Sequence, residues 1–221
     1  RIFNYPQWTI EDNPVIYLLQ QVIKYFITIL LFIMKKFFLL AFVAINLNMT
    51  AQSVWTMDKS HSKMTFTVTH LAMSEVDGVF KDFDFKITSS KEDFSDAVFE
   101  ATADLKTLST NNSMRDGHLQ KDDMFDTEKH PTLTFKSTSI KPAGAKKFKL
   151  MGDLTMKGIT KPVVLDLTLI GTGENQRSKK PMAGFKVTGT VKRTDFGDGT
   201  MPGLVVSEDV ELVASAEFVK Q

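Results

Sequence analysis

HSKMTFTVTH, residues 61–70, alternates with period two. Met64, Phe66, Val68 and His70 fall on one face of an extended chain, and Lys63, Thr65, Thr67 and Thr69 on the other. Such a strand belongs to an antiparallel sheet with one face on an apolar interior and the other in water. The row ends in an imidazole. Four roles fit it: metal ligand, catalytic base, satisfied core histidine, or polar rim of an apolar pocket.

The same period continues along the chain. Phe83, Phe85 and Ile87 share a face, followed by Ala97, Phe99, Ala101, Ala103 and Leu105. Leu133 and Phe135 come next, then Phe148, Leu150, Leu154 and Met156, then Val163, Leu165, Leu167 and Leu169. Ala183, Phe185, Val187 and Val191 lead to the last row, Val210, Leu212, Ala214, Ala216 and Phe218. Turn chemistry separates several rows, as at Lys141-Pro142-Ala143-Gly144, Gly171-Thr172-Gly173 and Gly197-Asp198-Gly199. One interval, TNNSMRDGHLQKDDMFD (110–126), lacks alternation and predicts a short helix capped by Thr110 and weakened by Gly117. The pattern predicts an all-β fold: an eight-stranded antiparallel lipocalin-like barrel, closed so that no edge stays exposed, with one short helix near 110–126.

Composition narrows the chemistry. The chain has no cysteine, which excludes a disulfide framework, a thiolate metal site and a cysteine nucleophile. Its formal charge is +1 and no dense Lys/Arg stripe occurs, so no nucleic-acid partner is expected. The four histidines, His61, His70, His118 and His130, form no i, i+4 pair or HExxH arrangement, and no metal is expected. There is no GxSxG elbow and no Gly-rich phosphate loop, so no catalytic residue is assigned and no enzyme activity expected.

The N-terminal part differs. MKKFFLLAFVAINLNMTAQS (34–53) has two lysines, the apolar run Phe37–Leu47, and Ala51 as the residue before cleavage. It reads as a signal peptide, residues 34–51, too short in its apolar run to span a membrane. Residues 1–33 precede it as an upstream segment expected to result from a mis-called start, with translation beginning at Met34. The competing reading makes Val15–Ile33 a membrane helix with Lys24 inside it. The expected exported domain is 52–221, periplasmic or secreted in a bacterium, without stable membrane insertion. An outer-membrane barrel fits poorly, because His70 and Arg193 lie on the apolar rows that would meet lipid.

Eight strands can enclose a filled core or one small ligand. The small residues Ala97, Ala101, Ala103, Ala183, Gly189, Ala214 and Ala216 on the inward rows favour an open lumen, whereas the many Phe and Met side chains are able to fill it. An apolar lumen suits a chain-like lipid.

WTMDKSHSKMTFTVTHLAMSEVDGVFKDFDFKI (55–87) resembles the opening of the YceI family, W-x-x-D-x-x-H-S, an alternating strand to His-Leu, then V-x-G-x-F. Trp55, Asp58, His61, Ser62, Phe66, His70, Gly78 and Phe80 carry it, and 113–135, GDLTMKGITKPVVLDL (152–167) and KRTDFG (192–197) extend it. The resemblance implies an exported barrel that binds a long isoprenoid or related amphiphile (a quinone, polyprenyl phosphate or fatty-acid-like molecule) and needs no cofactor. A homodimer is an option for the fold, and a partner-binding scaffold with a filled core or an enzyme acting on such a lipid are the alternatives. The expected ligand-binding residues are Phe66, Val68, Phe83, Phe85, Phe99, Leu133, Phe135, Leu165, Leu167, Phe185, Val187 and Leu212 in the lumen. His70, Arg115, His118 and Arg193 are expected at the ligand head or as anchors of the helix over the mouth; for these four an ordinary structural bond is an equal alternative.

Overall fold

The computed structural model describes residues 14–45, 52–197 and 201–221. They fall into two compact units, divided after Thr50. In the first, one helix, α1, runs Pro14–Ile45 through Met34 without a break. Its stretch Pro14–Lys36 is long and apolar enough to cross a membrane, a property that leader sequences share. The expected cleavage region at 46–51 and the Asp198-Gly199 part of the expected turn lie outside the described residues.

The second unit holds ten strands. They are β1 Ser53–His70, β2 Ser74–Phe80, β3 Phe83–Ser89, β4 Val98–Asp104, β5 Leu108–Ser109, β6 Thr132–Gly144, β7 Lys147–Met156, β8 Ile159–Glu174, β9 Pro181–Lys192 and β10 Asp209–Lys220. Eight of them, in the order β10-β9-β8-β7-β6-β4-β3-β1, close into an antiparallel barrel when β1 pairs with β10 from Trp55↔Lys220 to Thr67↔Glu211. The barrel expected from the alternating rows is present. β2 and β5 are additions. The long β1 forks: its first part pairs with β3 (Ser53↔Ser89 to Thr56↔Lys86) and its last part with β2 (Thr65↔Val79 to His70↔Ser74).

The fork coincides with a bulge on the other edge of β1. The β1–β10 register shifts between Asp58 and Lys63, leaving the intervening residues out of the ladder. This places His61 on the surface. There its Nδ1 lies 3.0 Å from Asp58 Oδ2. That hydrogen bond raises the His61 pKa and lowers that of Asp58. His70 stays in register at the far end of the strand, opposite Ser74.

The helix in the non-alternating interval is narrower than expected. α2 spans Ser113–Leu119 and its cap is Asn112, whose side chain accepts from the Arg115 N–H, rather than Thr110. Asn111 takes a left-handed turn at φ 58°, which delays the helix by two residues and leaves Thr110 buried beneath it.

One end of the barrel is plugged by rings. Phe94, in the β3–β4 loop, packs edge-on against Trp55 and Phe185 at 5.0 Å, and Phe185 in turn meets Phe99 and Phe218 at 5.3 and 5.9 Å. Asp96 ties that loop. It accepts from the hydroxyls of Ser89 and Ser90 and from the backbone N–H of Ser90 and Lys91. Burial opposes its charge, but these donors outweigh that and hold the carboxyl well below the usual range. Because the folded pKa is depressed, the stabilisation is present above about pH 4, the unfolded value, and is lost as pH falls further. Asp96→Ala is expected to lower stability by about 1–3 kcal/mol near neutrality, and to flatten the loss of stability below about pH 4. Denaturant melts at a series of pH values check it.

Candidate functional site

Phe99 and Phe185 meet across the barrel in the ring cluster, and space opens beside and beyond them. Two apolar chambers occupy this space. The lower, of about 90 Å³, is bounded by Met64, Phe85, Phe99, Phe185, Val187 and Phe218 beside the small Ala101, Ala214 and Ala216. The upper, of about 450 Å³, is bounded by Phe66, Val68, Phe80, Met124, Phe125, Met156, Val191 and Val210. Leu133, Leu154 and Leu212 border both, so the two follow one another along one lumen.

Glycines set the width of this lumen. Phe66 lies against its cross-strand partner Gly78, Phe135 against Gly152, and Leu165 against Gly189, each so closely that a Cβ on the glycine would overlap the side chain. All three covering side chains line a chamber. An alanine at 78 or 189 would have to push its covering side chain aside, and one at 152 would also overlap the Lys136 carbonyl.

The upper chamber is bordered at one end by three segments. These are the β1–β2 turn at His70, α2 with the residues before it (Thr110, Asn112, Met114, Arg115, His118), and the loop carrying Met201, Val205 and Val206. The β1–β2 turn and the loop are stitched together by the Leu71 N–H donating to the Val205 carbonyl at 3.0 Å and a His70↔Val206 bridge. Here the lining becomes polar and accessible. We take this end as the mouth.

The polar groups at the mouth are tied into the fold. Arg193 is only 5% exposed. It donates through Nε to the Ser207 carbonyl (3.0 Å) and through Nη2 to those of Met201 (2.6 Å) and Val206 (3.0 Å). One guanidinium thus gathers three carbonyls of the loop, a task for which its planar fork is suited. Arg115 donates through Nε to Thr110 Oγ1 (2.7 Å) and through Nη2 to the Thr110 carbonyl (2.8 Å). Asp116 accepts from the Thr110 N–H and hydroxyl at 2.8 and 2.5 Å. Burial works against its charge, yet these donors, with the Ser109 hydroxyl and the nearby Arg115, keep its carboxyl below the ordinary value. His118 Nε2 sits 3.2 Å from Asp123 Oδ2.

Of the side chains expected at a ligand, Phe66, Val68, His70, Arg115, His118 and Arg193 border the upper chamber. Phe85, Phe99, Phe135, Leu165, Phe185 and Val187 border the lower one, and Leu133 and Leu212 border both. Phe83 and Leu167 border neither. Phe83 packs on Phe85 with ring centroids 5.0 Å apart, and Leu167 is fully enclosed in the core. Alternation tells which face a side chain takes, not whether it meets a cavity or a neighbour. Sequence reasoning did not single out Met114, Met124, Phe125, Met201, Val205 and Val206, because they lie in segments without a period.

Away from the lumen, Asp58, His61 and Glu217 bring three donor atoms within 4.8 Å of one another on the surface. The His61–Asp58 hydrogen bond and the Glu217 carboxylate 3.9 Å from the same nitrogen make this an ion-paired cluster beside the bulge.

Comparison with known proteins agrees with this architecture. The YceI-like domain matches residues 55–218. Protein YceI of Escherichia coli O157:H7 is 38% identical over 161 residues, 73% of this chain and 83% of that protein. The crystal structure of the Campylobacter jejuni YceI protein is 31% identical and superposes with a TM-score of 0.63 over 69% of this chain and 90% of that one. A polyisoprenoid binding domain from Saccharophagus degradans shares the fold, with TM-score 0.56 over 76% of this chain and 98% of that domain, at 14% identity. The matched length, the closed barrel and the identity to the Escherichia coli protein together make this chain a member of the YceI-like family.

Proposed function

We propose that the exported barrel, residues 52–221, binds a long-chain isoprenoid or related amphiphile, with the chain in the two chambers and the head at the mouth. The observation that carries this reading is the pair of adjoining apolar chambers, which share Leu133, Leu154 and Leu212 as walls, with a polar, accessible rim at one end. Each methylene moved from water into such a lumen contributes about 0.8 kcal/mol. Ten of them contribute roughly 8 kcal/mol. Association and ordering costs of about 4–15 kcal/mol consume much of this. Short chains therefore bind weakly and long ones well. The S. degradans domain, described as polyisoprenoid-binding, supports the same class of cargo.

The residues proposed to meet the chain are Phe66, Val68, Phe85, Phe99, Leu133, Phe135, Leu165, Phe185, Val187 and Leu212. His70, Arg115, His118 and Arg193 shape the rim, and the two arginines spend hydrogen bonds on holding its segments in place. The protein acts by sequestering or carrying its ligand, without chemical turnover. The apolar N-terminal segment supports export of the barrel. Native mass spectrometry and lipid extraction of the barrel purified from a bacterial host test this. A stoichiometric long-chain amphiphile is expected; protein that is empty and does not take up added polyprenol would overturn the reading.

A further inference from the structure

In the barrel unit, three large apolar side chains stand out from all the others in exposure. Met73 is 85% exposed, Met114 86% and Leu204 86%. They come from three separate segments, and all three segments border the mouth of the upper chamber. Met114 itself lines that chamber, Leu204 adjoins the lining residue Val205, and Met73 closes the turn that begins at the lining residue His70. Leu71, 46% exposed, lies in the same turn. By contrast, the other exposed large apolar residues described in this unit, Val79, Val164 and Ile170, are 38–61% exposed and lie on the strands β2 and β8.

The backbone beneath this rim adds a second observation. The Met73 N–H donates to the His70 carbonyl at 3.0 Å across a turn whose central residues, Leu71 and Ala72, are left-handed at φ 51° and 53°. Hairpin turns of this shape favour Asn and Gly, and Leu and Ala adopt them only under strain. The turn thus holds Leu71 and Met73 outward at a cost to the fold, and nothing within the described protein covers them. Such strain is kept where the surrounding structure imposes it and is enriched at functional segments.

We propose that this apolar lip docks on the surface of a lipid bilayer and takes cargo into the lumen directly from it. The inference rests on the carrier reading above. A long apolar chain that crosses open water exposes every methylene to it, whereas a mouth rimmed with apolar side chains and pressed against the bilayer lets the chain pass from one apolar phase to the next. The lip is continuous with the chamber lining, which argues for a lipid surface over a protein partner. Among the described residues its charges are mixed, with Glu75 beside the turn, Arg115 at the chamber and Glu208 near Gly203, so the contact needs no anionic lipid. Few side chains enter, so the contact is reversible, as a carrier requires.

The test uses the barrel alone, residues 52–221, because α1 would bind vesicles by itself. Every described residue of the packed core lies between Trp55 and Phe218, and the matched chains of known structure consist almost wholly of this unit, so it folds without α1. Uptake of a fluorophore-tagged polyprenyl alcohol is followed from uncharged phosphatidylcholine vesicles and, separately, from a cyclodextrin complex. From vesicles, the uptake rate is expected to rise in proportion to vesicle concentration and to change less than twofold between 0.1 and 1 M salt. The double variant Met73→Asp, Leu204→Asp, which leaves the chamber lining untouched, is expected to lose vesicle uptake at least tenfold while keeping its melting temperature and its uptake from cyclodextrin. A rate independent of vesicle concentration, or a variant that takes up from vesicles as fast as the parent, would overturn the docking proposal while leaving the carrier reading intact. So would a dimer in solution that the two substitutions dissolve, which makes the lip a contact between copies. Failure of the parent barrel to take up the probe from either source overturns the carrier reading, and the docking proposal with it.

Discussion

Arg193→Ala is expected to cost the barrel about 3–5 kcal/mol, because three part-buried carbonyls lose the charged donor they share. The three that Arg193 serves, on Met201, Val206 and Ser207, belong to one loop that forms a wall of the mouth. The loss is therefore local before it is global. Backbone amides of residues 201–208 should lose hydrogen-exchange protection at temperatures where β6 to β8 keep theirs. Arg193→Lys should recover less than half of the loss, because a single ammonium cannot reach three carbonyls that a planar fork spans. Denaturant melts of the three proteins, with exchange measured by mass spectrometry, give both readings. A melting curve unchanged in Arg193→Ala would show that the carbonyls are not dependent on the guanidinium.

Ala214→Phe should do the opposite: leave the fold in place and close the cavity. Ala214 borders the lower chamber and sits between Met64 on β1 and Val187 on β9. A ring there has a void of about 90 Å³ to enter, so overpacking is limited and stability should change by less than about 1.5 kcal/mol. The end of a long chain has nowhere else to go. Under the carrier reading, affinity for the longest amphiphiles should drop at least tenfold, while chains short enough to occupy only the upper chamber keep theirs. A chain-length series in native mass spectrometry, beside a thermal melt, separates the two effects. Equal loss for all lengths would mean that the substitution had disturbed the mouth, not the end of the lumen.

How much of this was legible in the sequence follows from what each signal encodes. Alternation reports a half-buried strand, and the eight barrel strands carry it plainly, as in Phe83-Asp84-Phe85-Lys86-Ile87. β2 was hidden because its inward row, Ser74, Val76, Gly78 and Phe80, lacks bulk at Ser74 and Gly78. Its Gly78 is there to receive the Phe66 ring, a requirement visible only once β1 and β2 are paired. Phe94 gave no sign of being the plug. It lies in a loop without a period, and its burial depends on Trp55 and Phe185, distant in sequence. The same holds for Met201, Val205 and Val206, brought to the mouth by Arg193 and by the bridge to His70. Arg193 itself was picked out by its place on an apolar row, but its partners are carbonyls, which no sequence displays.

The two glycines under Phe66 and Leu165 carry a consequence for how such a protein changes its cargo. The bore is governed by residues a guest need never touch. A single methyl group added behind one of these side chains would narrow the passage, and its loss would widen it again, while the surface that greets the ligand keeps the same chemistry. Calibre and affinity are therefore separable traits in this barrel. A lineage, or an engineer, can tune the gauge of the tunnel at 78 and 189 and leave its lining alone.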